Sequence, residues 1–225
     1  MTVQAPGRCA LCGKAFSKSG MTRHLRASHG AGPEARGGED ALLLRVEGRY
    51  LPEYWLFLAV APSATWSRLD QAFRDLWVEC CDHLSAFEVG GVRYADGRDD
   101  WSDSGRSMSG RIARVLPQGA RFLYTYDFGS STRLVGRVVG TLPRPKGAAQ
   151  IRVVARNDPP ARSCARCGAP ATEVCALCYQ YRDSDCWWCE QCAPGHQCID
   201  PGGAYFLPVV NSPRVGVCGY SGGVG

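Results

Sequence analysis

Apolar residues recur along the middle of the chain with two periods, and each predicts a different element. Trp66, Leu69, Phe73, Leu76 and Cys80 are spaced by three and four, the stripe of an amphipathic helix. Thr65 stands where a hydroxyl would cap its first turn. Around it lie runs rich in branched and aromatic residues that read as strands: LLLRVEGRY from Leu42, YWLFLAV from Tyr54, RFLYTYDF from Arg121, RLVGRVVG from Arg133 and IRVVARN from Ile151. LSAFEVGGVRY, from Leu84, alternates about a Gly-Gly pair as a β-hairpin does. A second short helix is read near Ile112 to Leu116. One main helix and six or more strands make an α+β fold with a largely antiparallel sheet. Its span of about 115 residues, 41–157, is enough for a core of its own.

The flanks have another character. Gly30 to Asp40 (GAGPEARGGED) reads as a flexible linker, and Ala95 to Gly110 as a polar surface loop. From Pro159 to Cys198 cysteines dominate, and a short strand-like piece and turn residues follow. The expected organisation is therefore a unit at 1–30, a linker at 31–40, the α+β domain at 41–157 and a cysteine-rich module with a tail at 158–225, the two outer units being small and zinc-stabilised. A content of 45% hydrophobic and 21% charged residues is ordinary for a globular chain and excludes wholesale disorder. The first thirty residues carry no apolar run behind a basic start. The most apolar stretch, Tyr54 to Ala61, is far short of the about 20 residues that span a bilayer. The expectation is a soluble, cytoplasmic protein with no membrane partner.

Charge sharpens this picture. The net charge is +5, and residues 1–30 hold Arg8, Lys14, Lys18, Arg23 and Arg26 with no acid, so the excess lies wholly there. That is the footprint of a nucleic-acid contact, with a solvated basic helix as the plainer reading. Eight of the thirteen cysteines stand in C-x2-C pairs: Cys9/Cys12, Cys164/Cys167, Cys175/Cys178 and Cys189/Cys192. This spacing lets two thiolates grip one tetrahedral ion from a single turn, so metal binding is favoured over disulfides. Cys80 and Cys81 read as small buried hydrophobes, and His83 as a structural histidine at the helix exit. Asp127, between aromatics, reads as a residue fixing the chain before Gly129. Cys218 is left between packing and ligation.

Cys9 to His29, CALCGKAFSKSGMTRHLRASH, resembles the Cys-Cys-His-His zinc fingers, with eleven residues between Cys12 and His24. Its ligands are Cys9, Cys12, His24 and His29, with Phe16, Met21 and Leu25 as a miniature core. The helix positions that would face bases are Ser17, Gly20 and Arg23, of which only Arg23 carries a fork suited to guanine. Backbone contact, through Lys14, Lys18, Arg23 and Arg26, is therefore expected over sequence readout, and docking on a protein competes with it. The second cysteine-rich segment resembles the interleaved double-zinc modules of the MYND and HIT-finger kind. By that resemblance Cys164, Cys167, Cys189 and Cys192 form one site, and Cys175, Cys178, His196 and Cys198 the other, while a Cys186–Cys189 pair is the rival scheme. Three zinc ions are expected in all.

The central block resembles the plasmid pRiA4b ORF-three-like domain, a bacterial, mobile-element-associated α+β family. The likeness is carried by His83, Leu84, Phe87, Tyr126, Asp127, Phe128 and Gly129; Ser130, Thr132 and Leu134 depart from the family pattern of Asp, Trp and His. No catalytic constellation is recognised. The function expected is thus a zinc-binding, non-enzymatic adaptor whose basic finger contacts DNA with little sequence choice, in a mobile-element setting. The alternative is a protein–protein interaction module with structural zincs, and an enzyme built around Asp127 or the acidic loop 96–103 is the remote third reading.

Overall fold

The computed structural model describes residues 6–30, 40–95, 105–181 and 184–223. The linker, but for its two end residues, and the acidic loop 96–103 lie outside them. The chain divides into two units, Met1–Ala72 with Leu84–Asp158, and Phe73–His83 with Pro159–Gly225.

In the first unit the order along the chain is β1 (Gly7–Cys9), β2 (Ala15–Phe16), α1 (Lys18–Ser28), β3 (Ala41–Gly48), β4 (Trp55–Val60), α2 (Trp66–Phe73, ending at the unit boundary), β5 (Ser85–Val89), β6 (Val92–Ala95), β7 (Arg106–Ser107), β8 (Arg121–Tyr126), β9 (Thr132–Leu142) and β10 (Ile151–Asn157). These strands form one ten-stranded sheet, ordered β2-β1-β10-β4-β3-β9-β8-β5-β6-β7. Every neighbouring pair is antiparallel except β6 with β7. The antiparallel sheet and the strands at each apolar run agree with the sequence. Helix α1 has eleven residues, α2 has eight and so ends well before the stripe from Trp66 to Cys80 does, and the segment near Ile112 is only a 3-10 turn over Ile112–Arg114.

Strand β4 is buried along its whole length, which explains why its sequence runs apolar rather than alternating. Trp55, Phe57 and Ala59 share one cluster with Met21 and Leu25 of α1, while Leu56 and Leu58 project to the opposite, equally dry face. Trp66 of α2 lies 4.8 Å from Phe87 and 4.9 Å from Tyr94, ring centre to ring centre. Thr65 Oγ1 accepts from the Arg68 amide at 3.3 Å, capping α2. Asp70 accepts from Ser85 Oγ at 2.6 Å and from the Tyr124 hydroxyl at 2.7 Å, so this carboxylate is satisfied where it enters the core.

Two sequence expectations are corrected here. The sequence sets the finger at 1–30 apart from the domain at 41–157, but β1 pairs with β10 through Gly7↔Asn157, Arg8↔Arg156 and Cys9↔Ala155. It is therefore a margin of the sheet, and Met21 and Leu25 are fully buried. Gly7 permits this approach, because a Cβ there would sit 2.3 Å from the Arg156 carbonyl oxygen and 2.4 Å from the Trp55 ring. The second correction concerns the stripe from Trp66 to Cys80. Past Phe73 the helix widens into a π-helical turn over Arg74–Val78. A π-turn inserts one residue and rotates the buried face. Trp77 and Val78 go inside, Leu76 is only half-buried, and Cys80 falls beyond the helix end.

In the second unit β11 (Glu173–Cys175), α3 (Ala176–Gln180), β12 (Trp187–Trp188) and β13 (Phe206–Pro208) follow in turn. The strands form a small antiparallel sheet ordered β12-β11-β13. The chain after β13 folds onto the π-turn: Ser212 Oγ donates to the Trp77 carbonyl at 2.6 Å. A Cβ on Gly223 would come 2.2 Å from the Asp75 carbonyl oxygen. Among the described residues no helix is long and apolar enough to cross a membrane.

Candidate metal centres

Four groups of Cys and His side chains converge among the described residues: Cys9, Cys12, His24 and His29; Cys164, Cys167, Cys189 and Cys192; Cys175, Cys178, His196 and Cys198; and Cys80, Cys81, His83 and Cys218. In each, the four ligand atoms lie within 4.8 Å of one another. Together they use twelve of the thirteen cysteines and all four histidines of the chain. Sulfur at about 2.3 Å and nitrogen at about 2.0 Å from a tetrahedral ion stand about 3.3–3.8 Å apart along the edges of the tetrahedron. The separations found are 3.8 Å for Cys9–His29 and 3.2 Å for Cys12–His24, 3.7 Å for Cys167–Cys189, 3.7 Å for Cys175–Cys198, 3.3 Å for Cys178–His196 and 3.4 Å for His83–Cys218. All four groups could hold a metal ion.

Local chain geometry places the ligands. In the finger, Cys9 ends β1 and Cys12 sits on the turn, with the Gly13 amide donating to the Cys9 carbonyl at 2.8 Å. Cys164-x2-Cys167-Gly168 repeats this turn, its Gly168 amide donating to Cys164 at 2.9 Å. Gly13 and Gly168 have φ of 74° and 73°, a conformation costly for any residue with a Cβ. The finger helix then brings His24 and His29 across, with Ser17 as its N-cap and the Phe16 ring stacked on His24 at 4.3 Å.

The interleaving of the two groups behind Pro159 follows from strand direction. Strand β11 carries the chain from the Cys164/Cys167 turn to Cys175, which ends it, and to Cys178 in α3. Strand β12 runs back antiparallel through Val174↔Trp187 and Glu173↔Trp188, so Cys189 and Cys192 arrive beside the first pair. The next reversal returns His196 and Cys198 to the second. The His196 ring is held 4.6 Å from Trp188 and 5.7 Å from Phe206. Cys186 is buried and belongs to none of the four groups.

The sulfurs are electrostatically crowded. Burial pushes the Cys164 thiol up, but backbone N–H donors at Cys167, Cys189 and Arg166 outweigh it and bring it down to about 6. Its neighbour Cys192 is pushed up to about 12, first by Cys189 and then by burial and the remaining sulfurs. Likewise Cys175 is drawn down, its N–H and thiol donors outweighing burial, while burial and its sulfur neighbours push Cys178 up to about 12. One thiolate in each set opposes the next, and a divalent cation is the charge that would release both.

The fourth group was not anticipated. Cys80, Cys81 and His83 follow the π-turn, where Arg74 Nη1 donates to Glu79 at 2.6 Å and Nη2 to the His83 carbonyl at 2.7 Å. Asp82 between them has a φ of 54°, and its amide donates to Glu79 Oε1 at 2.6 Å. Cys218, also at positive φ (52°), comes from the tail. The buried-hydrophobe reading of Cys80 and Cys81 is therefore corrected: Cys81 is exposed and Cys80 half-buried. Crowding by Cys80, followed by burial and Cys218, pushes the Cys81 thiol up to about 11. Subtraction could have found this group, because removing the three anticipated sets leaves Cys80, Cys81, Cys186, Cys218 and a single histidine, His83.

The four basic residues singled out on the finger are not equivalent. Lys14, Arg23 and Arg26 are exposed. Lys18 is not available: its ammonium lies 2.5 Å from Glu47 and donates to the Pro52 carbonyl at 2.9 Å, with only 12% of the side chain exposed. Asp127, at φ 62°, accepts from the Gly129 and Ser130 amides at 3.0 and 3.1 Å, so its carboxylate closes the turn after β8.

No family model matches the chain, and no curated protein matches it. Among solved structures it is similar to a protein of unknown function, MM3350, from Methanosarcina mazei Go1, at 22% identity over 53% of this chain and 70% of that one, with a TM-score of 0.46.

Proposed function

We propose that the chain is a zinc-binding, non-enzymatic adaptor that grips nucleic acid by its phosphates. Thiolate and imidazole sets of four in tetrahedral spacing suit Zn2+, and a full set of protein ligands leaves no open position for catalysis. Thirteen cysteines with no disulfide among them suit a reducing, cytoplasmic setting. The resemblance to the plasmid pRiA4b ORF-three-like domain is the ground for a mobile-element role.

One observation carries the nucleic-acid part. Arg121, Arg137 and Arg45 are cross-strand neighbours in a single row, Arg121↔Arg137 and Arg137↔Arg45, on β8, β9 and β3. Directly opposed side chains stand about 5 Å apart, and like charges so placed are destabilising. Such a row makes sense as a seat for an anion. It lies on the face that α1 covers farther along. Arg26 Cγ is 3.4 Å from where a Gly140 Cβ would be, and Gly140 is about 10 Å along β9 from Arg137. The row thus continues the basic finger surface and replaces the lost Lys18.

Titrating duplex DNA with the full chain in rising salt tests this. Neutralising three to five phosphates gives a log–log slope of about −3 to −4.5, and each of Arg121→Ala and Arg137→Ala brings it about 1 closer to zero. A flat response refutes the nucleic-acid reading and leaves the protein-contact module.

A further inference from the structure

We propose that Cys80, Cys81, His83 and Cys218 form a fourth zinc site, one that fastens the tail to the turn after the π-helical segment. It lies outside the nucleic-acid reading and does not depend on it.

Three independent observations converge. The first is ligand geometry: three sulfurs and one imidazole nitrogen, all within 4.8 Å of one another, with His83 Nε2 at 3.4 Å from Cys218 Sγ. That is a complete Cys3His set, the composition of the cluster at Cys175, Cys178, His196 and Cys198.

The second is charge. Three thiolates around Zn2+ carry a net −1, and a fully buried guanidinium stands beside them. Arg214 is 0% exposed, and its Nη2 donates to Cys80 Sγ at 3.3 Å. That contact sets a positive charge against the outer side of the ligand set, where it offsets the net negative charge. Outer donors of this kind orient and tune a ligand shell.

The third is the way the backbone is bent to deliver the ligands. Asp82 and Cys218 are two of the three non-glycine residues at positive φ among those described. Holding a side-chain-bearing residue there is costly unless its surroundings over-determine it. Asp82 lets Cys81 and His83 bend toward one point, and Cys218 meets them from a segment 135 residues from His83. That segment is already seated through Ser212 on Trp77 and through Gly223 beside Asp75. The ion would close the remaining gap in a tail that carries little regular structure of its own.

The Cys81 and Cys218 residues are exposed, so this ion faces water and is the one a chelator reaches most readily. Ion counting by native mass spectrometry on the full chain, purified in reductant, tests the site. Cys218→Ser and Cys81→Ser each lower the zinc count of the parent by one. A count that Cys218→Ser leaves unchanged, whatever its value, overturns the proposal. Brief labelling of the unmutated native chain with a thiol reagent keeps the test independent of how the variants fold. Cys81 and Cys218 stay unlabelled while zinc is bound and label together after mild chelation. Immediate labelling of these exposed thiols in the zinc-loaded chain, or a disulfide joining any two of the three, overturns it equally.

Discussion

At the scale of single residues the chemistry is a matter of which sulfurs meet. Cys186 and Cys189 are three positions apart, like the other pairs, yet only Cys189 joins a ligand group. Cys189→Ser is therefore expected to lose one zinc ion, and Cys186→Ser to keep the full complement although it is buried; metal analysis of the two variants checks this. The same contrast shows what could be read from the chain. Close C-x2-C pairs are local and announce themselves, as does Thr65 before its helix. Asp127 could be recognised as a turn residue because Gly129 follows it so closely. The meeting of Cys81 with Cys218 is fixed only by tertiary folding, and no local spacing encodes it. Lys18 was legible as a charge, but its pairing with Glu47 depends on where the finger docks.

The elements extend this lesson. Strands were legible because β-branched and aromatic runs are short and bounded, and β4 showed its burial on both faces as an unbroken apolar run. The end of α2 was not legible, because the stripe Trp66–Leu69–Phe73 continues at helical spacing through Leu76 to Cys80 while the backbone turns π. Trp77, inside as a result, is fully buried, and Trp77→Ala is expected to cost about 3–5 kcal/mol of stability, read as a lower urea midpoint. Helix α1 is likewise an element with two masters, the metal and the sheet. Met21 is fully buried in a cluster that includes Leu43, Trp55 and Phe57, so Met21→Ala is expected to cost about 2–5 kcal/mol. The loss should show in the unfolding of the whole sheet unit, whereas an unchanged main transition would mean a finger that docks without stabilising.

For the whole molecule, metal and fold are one equilibrium. Structural zinc contributes on the order of 10–16 kcal/mol of apparent binding free energy in small units, so chelation is expected to collapse the module behind Pro159, visible as lost amide dispersion. Protons compete with the ion for every thiolate and imidazole. A metal takes only deprotonated thiolate and neutral imidazole, so its contribution to folding is present at neutral pH and is lost as pH falls. Zinc captured by a coloured chelator should therefore rise on acidification; release on going alkaline would contradict this.

The seating of residues 212–223 on the π-turn also has a consequence for biosynthesis. Trp77 and Ser212 are separated by 135 positions, and ribosomes add about 5–20 residues per second, so the Trp77 carbonyl emerges roughly 7–27 seconds before its Ser212 partner. During that interval the π-turn of a nascent chain lacks the partners that Ser212 and Gly223 bring to it. A chain stopped short of Ser212 would lack them permanently, and such products should be cleared or aggregate even with the ten-stranded sheet fully made.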